Sequence, residues 1–450
     1  MALPLLLDTS SEITIQTRGP GTRVDMTVTA SDLIDAPTPT PSEAAVPHRP
    51  LRILTFTSLF PNVSEPWRGA SVRDRVRAIA RLAEVEVMAP VPWLPNTPGL
   101  LGRPHPSHRV PRLDSHQTIT IHHPRFLVRP HVLKAAEPAF LVLSCAPALL
   151  MLRRRFRFDL LDAGSAWPDG VAAGALAALI GVPFAVTVCG DDVKVFEQDP
   201  GRRLLIRCAL RRAALVITHS QELQSRVVAL GVPESRAAVI PDGVDVERFC
   251  PLDRETARAC LGIPSSARLL LTVGRLRRSK GLAILVDALG RLAGEDPELR
   301  LVIVGDPDPE ANATPEIRAA IARSGLLGRV TLVSERSPRE LVWWYNAADL
   351  FCLVTTGHES AHALFEAMAC GVPFVTTEVA GNRGMIADER FGMLAAADSA
   401  SLAHAIDVAL KHWWDRDGIA RQAQSRGWDV VGRGWCARVG AIGALQELPS

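Results

Sequence analysis

The sequence predicts an α/β protein with two doubly wound, Rossmann-like domains that face each other across a cleft. Short apolar runs rich in β-branched residues alternate with helical patterns along most of the chain, which is typical of parallel sheets covered by helices on both faces. The alternation starts again after Asp245, so it describes two sheets, each of the size of one domain. The length of 450 residues is sufficient for two or three domains.

The first predicted sheet begins at Leu51. The run LRILTFTS is a strand by its apolar and β-branched content, and the helix VRDRVRAIARLA and the strand VEVMAP follow it. DLLDA, PFAVTV, LVITHS and AAVIP are predicted as further strands, with helical patterns between them. This pattern predicts an N-terminal domain at 51–243. Residues 1–50 form a polar, alanine-rich stretch with several prolines, where we expect a disordered tail.

The second predicted sheet lies in the other half of the chain. RLLLTVG, LRLVIVG, VTLVS, DLFCLVT and PFVTT are its predicted strands, and helical patterns such as ILVDALGRLAG and ALFEAMACG separate them. We therefore expect a C-terminal domain at 244–425. Ligands of doubly wound sheets bind outside the carboxyl ends of the strands, so the loops that directly follow the strands are the candidate binding loops.

The composition limits the classes of function. The formal net charge is only +2, which argues against a dedicated nucleic-acid binder. The eight cysteines are scattered without a C-x-x-C pair, so we expect neither a structural zinc site nor a disulfide framework. A reducing cytoplasm fits this cysteine usage best.

The apolar stretches of the sequence do not predict a membrane-spanning helix. The longest covers 139–152, short of the ~20 residues that such a helix needs. Three arginines follow it at 153–155 and could contact anionic lipid headgroups, although we favour a core helix with a charged surface end. The apolar run at 2–7 is too short for the centre of a secretory signal, and we expect a cytoplasmic protein.

The segment TVGRLRRSKG contains a candidate phosphate site. Arg275 and Lys280 follow a predicted strand, and a helix is expected to start near Gly281. Two cations at the carboxyl end of a strand, beside a helix N-terminus, can bind a diphosphate. They would stabilise the charge that develops on a departing diphosphate during bond breaking. A solvated loop is the alternative, because two more arginines lie in the same segment.

A second candidate binding loop precedes the segment ALFEAMACG. The residues HESAHALFEAMACGVPFVTT follow another predicted strand, and a helix is expected to begin near Ser360 or Ala361 and to end at Gly371. Its first amides would favour an anion in the cleft. Glu366 lies about two turns into this helix, where its carboxylate could hold the two hydroxyls of a ribose. A helix with one outward glutamate is the alternative.

From about residue 51 to 440, the sequence resembles family 4 glycosyltransferases of the GT-B fold, specifically their exopolysaccharide and teichuronic-acid branch. The resemblance is carried by segments such as SLFPNVSEPWRGASVRDRVRAIA, LDAGSAWPDGVAA, TVCGDDV, VIPDGVDVERFCP, VGRLRRSKG, WYNAADLF and FEAMACGVPFVTT. It implies a nucleotide-sugar donor in the C-terminal domain, a glycan or lipid-linked acceptor in the N-terminal domain and work at the cytoplasmic face of a membrane. It also implies retention of the anomeric configuration, with neither a cofactor nor a metal ion required.

The resemblance also implies which residues form the site. Arg275 and Lys280 would bind the donor phosphates, and Glu366 would bind the ribose. Glu359, which does not match the family pattern, is predicted as a catalytic residue beside Arg275 and Lys280. The other predicted substrate-binding residues are Gly69, Asp169, Cys189, Gly190, Asp191, His358, His362, Ala363 and Leu364. The last helix, at 426–450, is expected to cross back to the N-terminal domain. The expected anchors of this closing segment are Trp413, Trp414, Trp428 and Trp435.

Several positions depart from the family pattern. The family has two glutamates with seven residues between them, and the partner of Glu366 should fall at position 358, which here is His358. Glu359 comes one place later, where glycine is usual. The other departures are His362 in place of a common asparagine, Cys189 in place of arginine or histidine, Gly164 in place of a frequent histidine, and Arg383 and Gly384 in place of proline and glutamate.

These departures lie on the side of the cleft that handles the sugar, while the predicted phosphate and ribose residues are kept. One explanation is an active enzyme with an unusual donor or acceptor, whose contacts move to Glu359, His358 or His362. The other is a protein that binds a nucleotide sugar but transfers it poorly or not at all. We favour the enzyme, because retaining transfer in this family is thought to use the departing phosphate as base. An epimerase on the same fold is a third possibility, but it would need more acid/base side chains.

Weaker signals give no further site. Asp306 and Asp308 in VGDPDPE mimic the metal-binding D-x-D of a different glycosyltransferase fold, but the alternating prolines favour a turn. His122 and His123 lack the ligand spacing of a zinc site. Cys189 could be a nucleophile, but no base is identifiable beside it, so we expect it to be a spectator.

Overall fold

The computed structural model describes residues 50–446, except 67, 94–108, 128–133, 191, 193–194, 196–198, 309–310, 357–360 and 379–389, together with two strands near the N-terminus. These strands, β1 (Ile13–Gly19) and β2 (Thr22–Val28), pair in antiparallel with each other. They belong to a unit, Met1–Arg49, that is separate from the larger unit Pro50–Ser450. The sequence predicted a disordered tail here, without strands, whereas the structure describes this hairpin.

Within the larger unit, the six strands predicted for the first half are present, and four further strands that were not predicted lie between the second and the third of them. The first half of the unit contains β3 (Arg52–Phe56), β4 (Glu84–Met88), β5 (Val91–Trp93), β6 (Leu113–His116), β7 (Ile119–His122), β8 (Arg125–Leu127), β9 (Leu160–Ala163), β10 (Phe184–Val188), β11 (Leu215–Thr218) and β12 (Ala237–Val239). The sheet runs in the order β12-β11-β10-β9-β3-β4-β7-β6, and only β6 and β7 pair in antiparallel. β5 and β8 form a short parallel pair of their own.

Helices cover both faces of this sheet because its strands are apolar on both faces. In β3, Leu54 and Phe56 point into one core and Ile53 points into the other, as the two-residue period of a strand requires. The helices of this half are α1 (Ala70–Ala80), α2 (Glu137–Arg155), α3 (Val171–Ile180), α4 (Pro200–Arg212) and α5 (Gln221–Ala229). Among the described residues, no helix is both long and apolar enough to cross a membrane.

The second sheet is parallel throughout. Its strands are β13 (Arg268–Val273), β14 (Leu299–Val304), β15 (Val330–Val333), β16 (Leu350–Leu353), β17 (Phe374–Thr377) and β18 (Gly392–Ala395). They lie in the order β15-β14-β13-β16-β17-β18. The helices of this half are α6 (Arg254–Leu261), α7 (Leu282–Leu292), α8 (Thr314–Arg323), α9 (Pro338–Ala347), α10 (His362–Ala369), α11 (Ser399–Lys411) and α12 (Arg416–Gln424).

Two segments link the first and the second half of the unit, one around Val244 and the other around Arg426 and Trp428, and they run side by side. The amide of Val244, in the first segment, donates to the carbonyl of Arg426 in the second at 3.0 Å, and the amide of Trp428 donates back to Val244 at 3.2 Å. A Cβ on Gly243 would lie 2.5 Å from the Trp428 ring, so only glycine lets the indole pack on this backbone.

The last helix, α13 (Trp428–Gln446), packs against α1 of the first half. Trp435 is fully buried in the core that also contains Ile79, and Trp428 packs at its border. The other two expected anchors behave differently. Trp413 is 81% exposed, and Trp414 packs against the cores of the second sheet, so neither ties α13 to the first half.

Candidate active site

The strand order of each sheet identifies where a ligand would bind. In the first sheet the chain leaves β3 towards one side for β4 and returns to the other side at β9; in the second sheet β13 has the same relation to β14 and β16. Ligands of doubly wound folds bind in the crevice outside the carboxyl ends of two such strands. The relevant loops are therefore 57–69 and 164–170 in the first half, and 274–281 and 354–361 in the second.

The loop after β13 combines the two predicted cations with glycine conformations. Arg275 is exposed directly after Gly274, whose φ is 144°. The Lys280 side chain lies over Gly274, because a Cβ built there would be 3.5 Å from the Lys280 Cε and 3.8 Å from its Nζ. Gly281 then opens α7 with a left-handed φ of 53°. The structure thus brings both cations to the carboxyl end of β13, beside a helix N-terminus.

A small cavity of about 70 Å³ adjoins Arg275. The carboxyl ends of β13 and β14 and the loop after β15 line it, with Glu335 and Asp306 as its acidic residues. Burial raises the pKa of Glu335 above its ordinary value, while the nearby Arg275 guanidinium opposes the rise. Gly305 must be a glycine here, since a Cβ would lie 2.0 Å from the Gly274 carbonyl oxygen. The sequence did not indicate Glu335, because its position depends on the packing of β15.

The loop after β16 is tied to the cation loop. The Thr356 amide donates to the Ser279 carbonyl at 2.9 Å, and a Cβ on Gly281 would lie 2.7 Å from Val354. The loop leads to α10, which begins at His362 as the sequence predicted to within two residues. Ala363 is half-buried, but the Leu364 side chain is buried in the core, so a substrate could contact Leu364 only through its backbone.

Glu366 lies in α10 and accepts a hydrogen bond from Tyr345 in α9. The Tyr345 hydroxyl donates to Glu366 Oε2 at 2.7 Å, and its buried ring packs between Phe249 and Phe351. Burial raises the pKa of Glu366 to about 7, although the hydrogen bond from Tyr345 opposes the rise. Asp74 in α1 also raises this pKa, which shows that Glu366 faces the first half of the molecule. Tyr345 is the only tyrosine of the chain and was not among the predicted site residues.

An aspartate in the first connecting segment joins the two halves of the site. Asp242 Oδ2 lies 3.4 Å from His362 Nε2 at the start of α10, and its Oδ1 lies 3.4 Å from His219 Nδ1, directly after β11. Burial would raise the pKa of Asp242, but the two histidines, Arg75 and Arg426 outweigh it and lower the pKa. His362 was a predicted site residue, whereas Asp242 and His219 were not.

The loops of the first half are held by a buried carboxylate. Asp169 accepts hydrogen bonds from the Ser58 amide at 2.9 Å, the Thr57 hydroxyl at 3.1 Å and the Ser165 hydroxyl at 3.3 Å. Its side chain is fully buried, and burial raises its pKa against these hydrogen bonds. These contacts fix the loop after β3 to the loop after β9, and the predicted role of Asp169 in substrate binding stays a prediction.

A second buried carboxylate, Asp192, fixes the loop after β10. It accepts hydrogen bonds from the amides of Cys189 at 2.8 Å, Ala166 at 3.0 Å and Trp167 at 3.0 Å. Burial raises its pKa to about 7. Asp192 was not among the predicted site residues. The predicted substrate-binding residue next to it, Asp191, lies outside the described residues, and its role stays a prediction.

The glycines of the first half explain one departure from the family pattern. Gly69 caps α1 with a left-handed φ of 67°, and a Cβ there would lie 2.2 Å from the Leu59 carbonyl oxygen. Gly164 has no room for a side chain either, since a Cβ would lie 2.5 Å from Thr57 Oγ1. The Cys189 thiol donates to the Gly164 carbonyl at 3.9 Å.

Some predicted residues stay untested by the geometry. Glu359 and His358, and the departures Arg383 and Gly384, lie outside the described residues. Gly190 is half-buried after Cys189, and no contact defines a role for it.

The aspartates of VGDPDPE make contacts within the protein. Asp306 accepts from the Glu335 amide at 3.0 Å, and Asp308 pairs with Arg277 at 3.2 Å. Within the described ranges, no three His, Cys, Asp or Glu side chains could together hold a metal ion.

Comparisons with known proteins identify the family. The model of Glycosyltransferase Family 4 matches residues 69–248, and that of glycosyl transferases group 1 matches residues 267–412. A D-inositol 3-phosphate glycosyltransferase of Frankia alni is 31% identical over 291 residues, which cover 60% of this chain and 70% of that protein. The chain belongs to the family 4 glycosyltransferases. The family predicted from the sequence is thereby confirmed.

Further relatives of this glycosyltransferase agree in family and fold. The protein named as teichuronic acid biosynthesis glycosyltransferase TuaC of Bacillus subtilis is 28% identical over 362 residues, covering 79% of this chain and 88% of TuaC. Among solved structures, sucrose-phosphate synthase of Thermosynechococcus elongatus has a TM-score of 0.71 at 20% identity, covering 88% of this chain and all of that chain. Anabaena HepE, solved with UDP and glucose, has a TM-score of 0.65 at 20% identity, covering 89% of this chain and all of that chain. The predicted GT-B architecture is confirmed.

Proposed function

We propose that this glycosyltransferase moves a sugar from a nucleotide-sugar donor to a hydroxyl of a glycan or lipid-linked acceptor, in the synthesis of a cell-surface polysaccharide. The observation that carries the proposal is the pair Arg275 and Lys280 at the carboxyl end of β13, beside the N-terminus of α7. The similarity to TuaC, which is named for teichuronic acid biosynthesis, supports a role in polysaccharide synthesis. The similarity to HepE, which was solved with UDP and glucose, supports a nucleotide-sugar donor. We further propose that the enzyme works in the cytoplasm, at the face of a membrane.

In the proposed reaction, the donor diphosphate lies against Arg275 and Lys280. The arginine offers a planar fork to phosphate oxygens and the lysine a compact charge, and both stabilise the negative charge that grows as the sugar leaves. Glu366 accepts hydrogen bonds from the ribose hydroxyls. The nucleobase enters the cavity beside Glu335, which lies next to the same arginine.

The acceptor approaches from the loops of the first half, which Asp169 and Asp192 hold in place. We propose that the departing phosphate accepts the acceptor proton, so that the sugar keeps its anomeric configuration and no metal ion is needed. His362 lies 3.4 Å from Asp242, and we propose that its side chain contacts the sugar or acceptor.

The test compares Arg275→Ala and Lys280→Ala with Arg278→Ala in a panel of nucleotide sugars. Arg278 lies in the same loop, but it is 73% exposed and pairs with Glu316 at 2.7 Å, so it is a matched control. We expect turnover to fall by about 100-fold in the first two variants, because each removes a charge that stabilises the transition state. The control should stay within about twofold. Unchanged turnover in both site variants would remove these residues from the mechanism.

A second candidate function is a non-catalytic, nucleotide-sugar-binding partner of another transferase. The departures at His358, Cys189 and Gly164 favour it, because they remove side chains that the family uses on the sugar side. This protein would bind nucleotide sugars without transfer or donor hydrolysis. The discriminating variant is His358→Glu with Cys189→Arg: a large gain of transfer from a silent starting protein would support the second function. Wild-type turnover with any donor would exclude it.

A further inference from the structure

The outer surface of the first half carries apolar side chains that no part of the described chain covers. α2, α3 and α4 pack their inner faces on the same core, through residues such as Leu149, Leu176 and Ile206. Neighbouring helices are in contact, α2 with α3 and α3 with α4. Their outer faces therefore lie side by side on one surface of the molecule.

The outer side of α2 is apolar where a solvent-facing helix would normally be polar. Leu143 is 73% exposed and Met151 is 74% exposed, two turns apart on the same side, and Leu150 is 46% exposed beside them. On the next two helices, Leu179 is 58%, Leu204 59% and Leu205 40% exposed. Single exposed leucines are ordinary, but six on three adjoining helices form a patch that marks an interaction surface.

The helices that carry this patch are strongly basic. α2 ends in three arginines and α4 contains five, whereas Glu137 is the single acidic residue of the three helices. Some of these cations are used internally: Arg153 stacks on Phe158 and Arg155 pairs with Glu86. In the part of the chain that the structure describes, Arg154, Arg203 and Arg207 pair with no carboxylate.

We infer that the outer face of α2, α3 and α4, the basic apolar face, docks on an anionic lipid surface. Leucine and methionine side chains enter the boundary between headgroups and acyl chains, and the arginines contact the anionic headgroups. The patch is aliphatic, whereas protein interfaces are enriched in Tyr and Trp at their centres, so a membrane fits it better than an acidic protein. Docking in this way would hold the acceptor loops of the first half near a lipid-linked acceptor.

The inference rests on the membrane location proposed above, but vesicle binding by the full-length protein requires no sugar transfer, so its failure is distinguishable from a failure of the proposed transferase activity. We expect the protein to co-sediment with phosphatidylcholine vesicles that contain about one third phosphatidylglycerol, and to bind at least about tenfold more weakly to phosphatidylcholine alone. Added salt should weaken binding, because it screens the arginines. Equal binding to both vesicles, or none to either, would overturn the inference.

Variants locate the contact. Leu143→Glu with Met151→Glu should reduce binding to the anionic vesicles by at least about tenfold, because two carboxylates would enter the interface. The matched control is Leu327→Glu, at a position that is 82% exposed in the second half. Both proteins should keep the wild-type turnover on a soluble acceptor. Equal loss of binding in both, or in neither, would contradict the assignment of this face.

Two natural cysteines provide a direct readout. Cys208 in α4 and Cys260 in α6 are both exposed, one on the basic apolar face and one in the second half. With a single one of them retained and labelled with an environment-sensitive fluorophore, anionic vesicles should shift the emission at Cys208 to the blue and leave Cys260 unchanged. A shift at neither position, or at Cys260 alone, would overturn the inference. Binding to an acidic protein, without a shift on vesicles, would assign the face to a protein partner instead.

Discussion

In both sheets the candidate site lies between two strands from which the chain leaves towards opposite sides. The charged residues at these two edges differ in whether they are exposed or buried. At the carboxyl edge of the second sheet, Arg275 is exposed after β13, and Lys280 lies over a glycine. At the corresponding edge of the first sheet, Asp169 and Asp192 are buried, and their oxygens accept hydrogen bonds from neighbouring loops. An accessible charge is left for a ligand, whereas a buried charge fixes the backbone. Exposure therefore distinguishes the cations that we propose to bind the donor from carboxylates whose described contacts lie within the protein.

Substitutions of the charged residues at the two edges should differ clearly in their effect on the free energy of unfolding. Asp169→Ala should lower the free energy of unfolding by about 3 kcal/mol, because it leaves the Ser58 amide and two hydroxyls without their buried acceptor. Arg275→Ala removes an exposed side chain and should change the free energy of unfolding by less than about 0.5 kcal/mol. Urea unfolding of the two variants and the wild type measures both values. An equal loss of stability at the two positions would contradict the different roles assigned to the buried and the exposed charge.

The glycines that precede α1 and α7 should also differ in their effect on stability. Gly69 and Gly281 both have a left-handed φ, of 67° and 53°, so alanine costs about 1–2 kcal/mol at either position. A Cβ at Gly69 would also meet the Leu59 backbone oxygen at 2.2 Å, whereas at Gly281 it would meet the Val354 side chain at 2.7 Å. Gly69→Ala should therefore be the more destabilising variant in thermal unfolding.

The control for this pair is a second substitution. Val354→Ala should recover part of the stability lost in Gly281→Ala, because it removes the methyl group that the new Cβ contacts. No single side-chain truncation can relieve Gly69→Ala, since its neighbour is backbone. If Gly281→Ala proved the worse variant, the second loop would be the more tightly constrained of the two.

Glu366 allows a pH test of its proposed role in donor binding. Its pKa is raised to about 7, and its anionic form is the one that accepts hydrogen bonds from ligand hydroxyls. Donor affinity should therefore weaken as the pH falls through about 7. Tyr345→Phe removes a hydrogen bond that favours the carboxylate, so the midpoint of this dependence should move to higher pH. Calorimetric titration with the nucleotide sugar over a pH series measures the shift.

Glu366→Gln is the control for the pH test, since its donor affinity should not follow this titration. The folded-state pKa is raised, so Glu366 binds more protons in the folded than in the unfolded protein between about pH 4.5 and about pH 7. Its contribution to stability therefore falls as the pH rises through that window, and Glu366→Gln should flatten this dependence. A midpoint that stays unchanged in Tyr345→Phe would show that the tyrosine does not act through the carboxylate.

Local patterns predicted the parts of the site that depend on neighbours in sequence. Strand periodicity located the loops, and the cations of TVGRLRRSKG fall where a strand ends. Contacts between distant segments could not be predicted in this way. Tyr345 reaches Glu366 because α9 packs beside α10, and Asp242 meets His219 and His362 only when both sheets are assembled. The buried roles of Asp169 and Asp192 likewise depend on packing between loops.

A much smaller effect on stability is expected at the exposed ion pair of Arg81 with Asp429. Arg75 and Arg81 lie on or directly after the same helix, α1, and each pairs with a distant aspartate. The Arg75–Asp162 pair is 3.1 Å apart with side chains only 7% and 0% exposed, whereas those of Arg81 and Asp429 are 59% and 51% exposed. A double-mutant cycle on Arg81 and Asp429 should give a coupling below about 0.5 kcal/mol, because solvent screens an exposed pair.

Arg75→Ala should instead cost about 3 kcal/mol, since it leaves Asp162 buried without its cation. Denaturant unfolding in low and high salt distinguishes the two pairs: salt should abolish the small coupling of Arg81 with Asp429 and leave the loss in Arg75→Ala almost unchanged. A coupling of Arg81 with Asp429 as large as the loss in Arg75→Ala would mean that this exposed pair is what ties the start of α13 to α1. Burial would then not be the property that decides what a charge does in this protein.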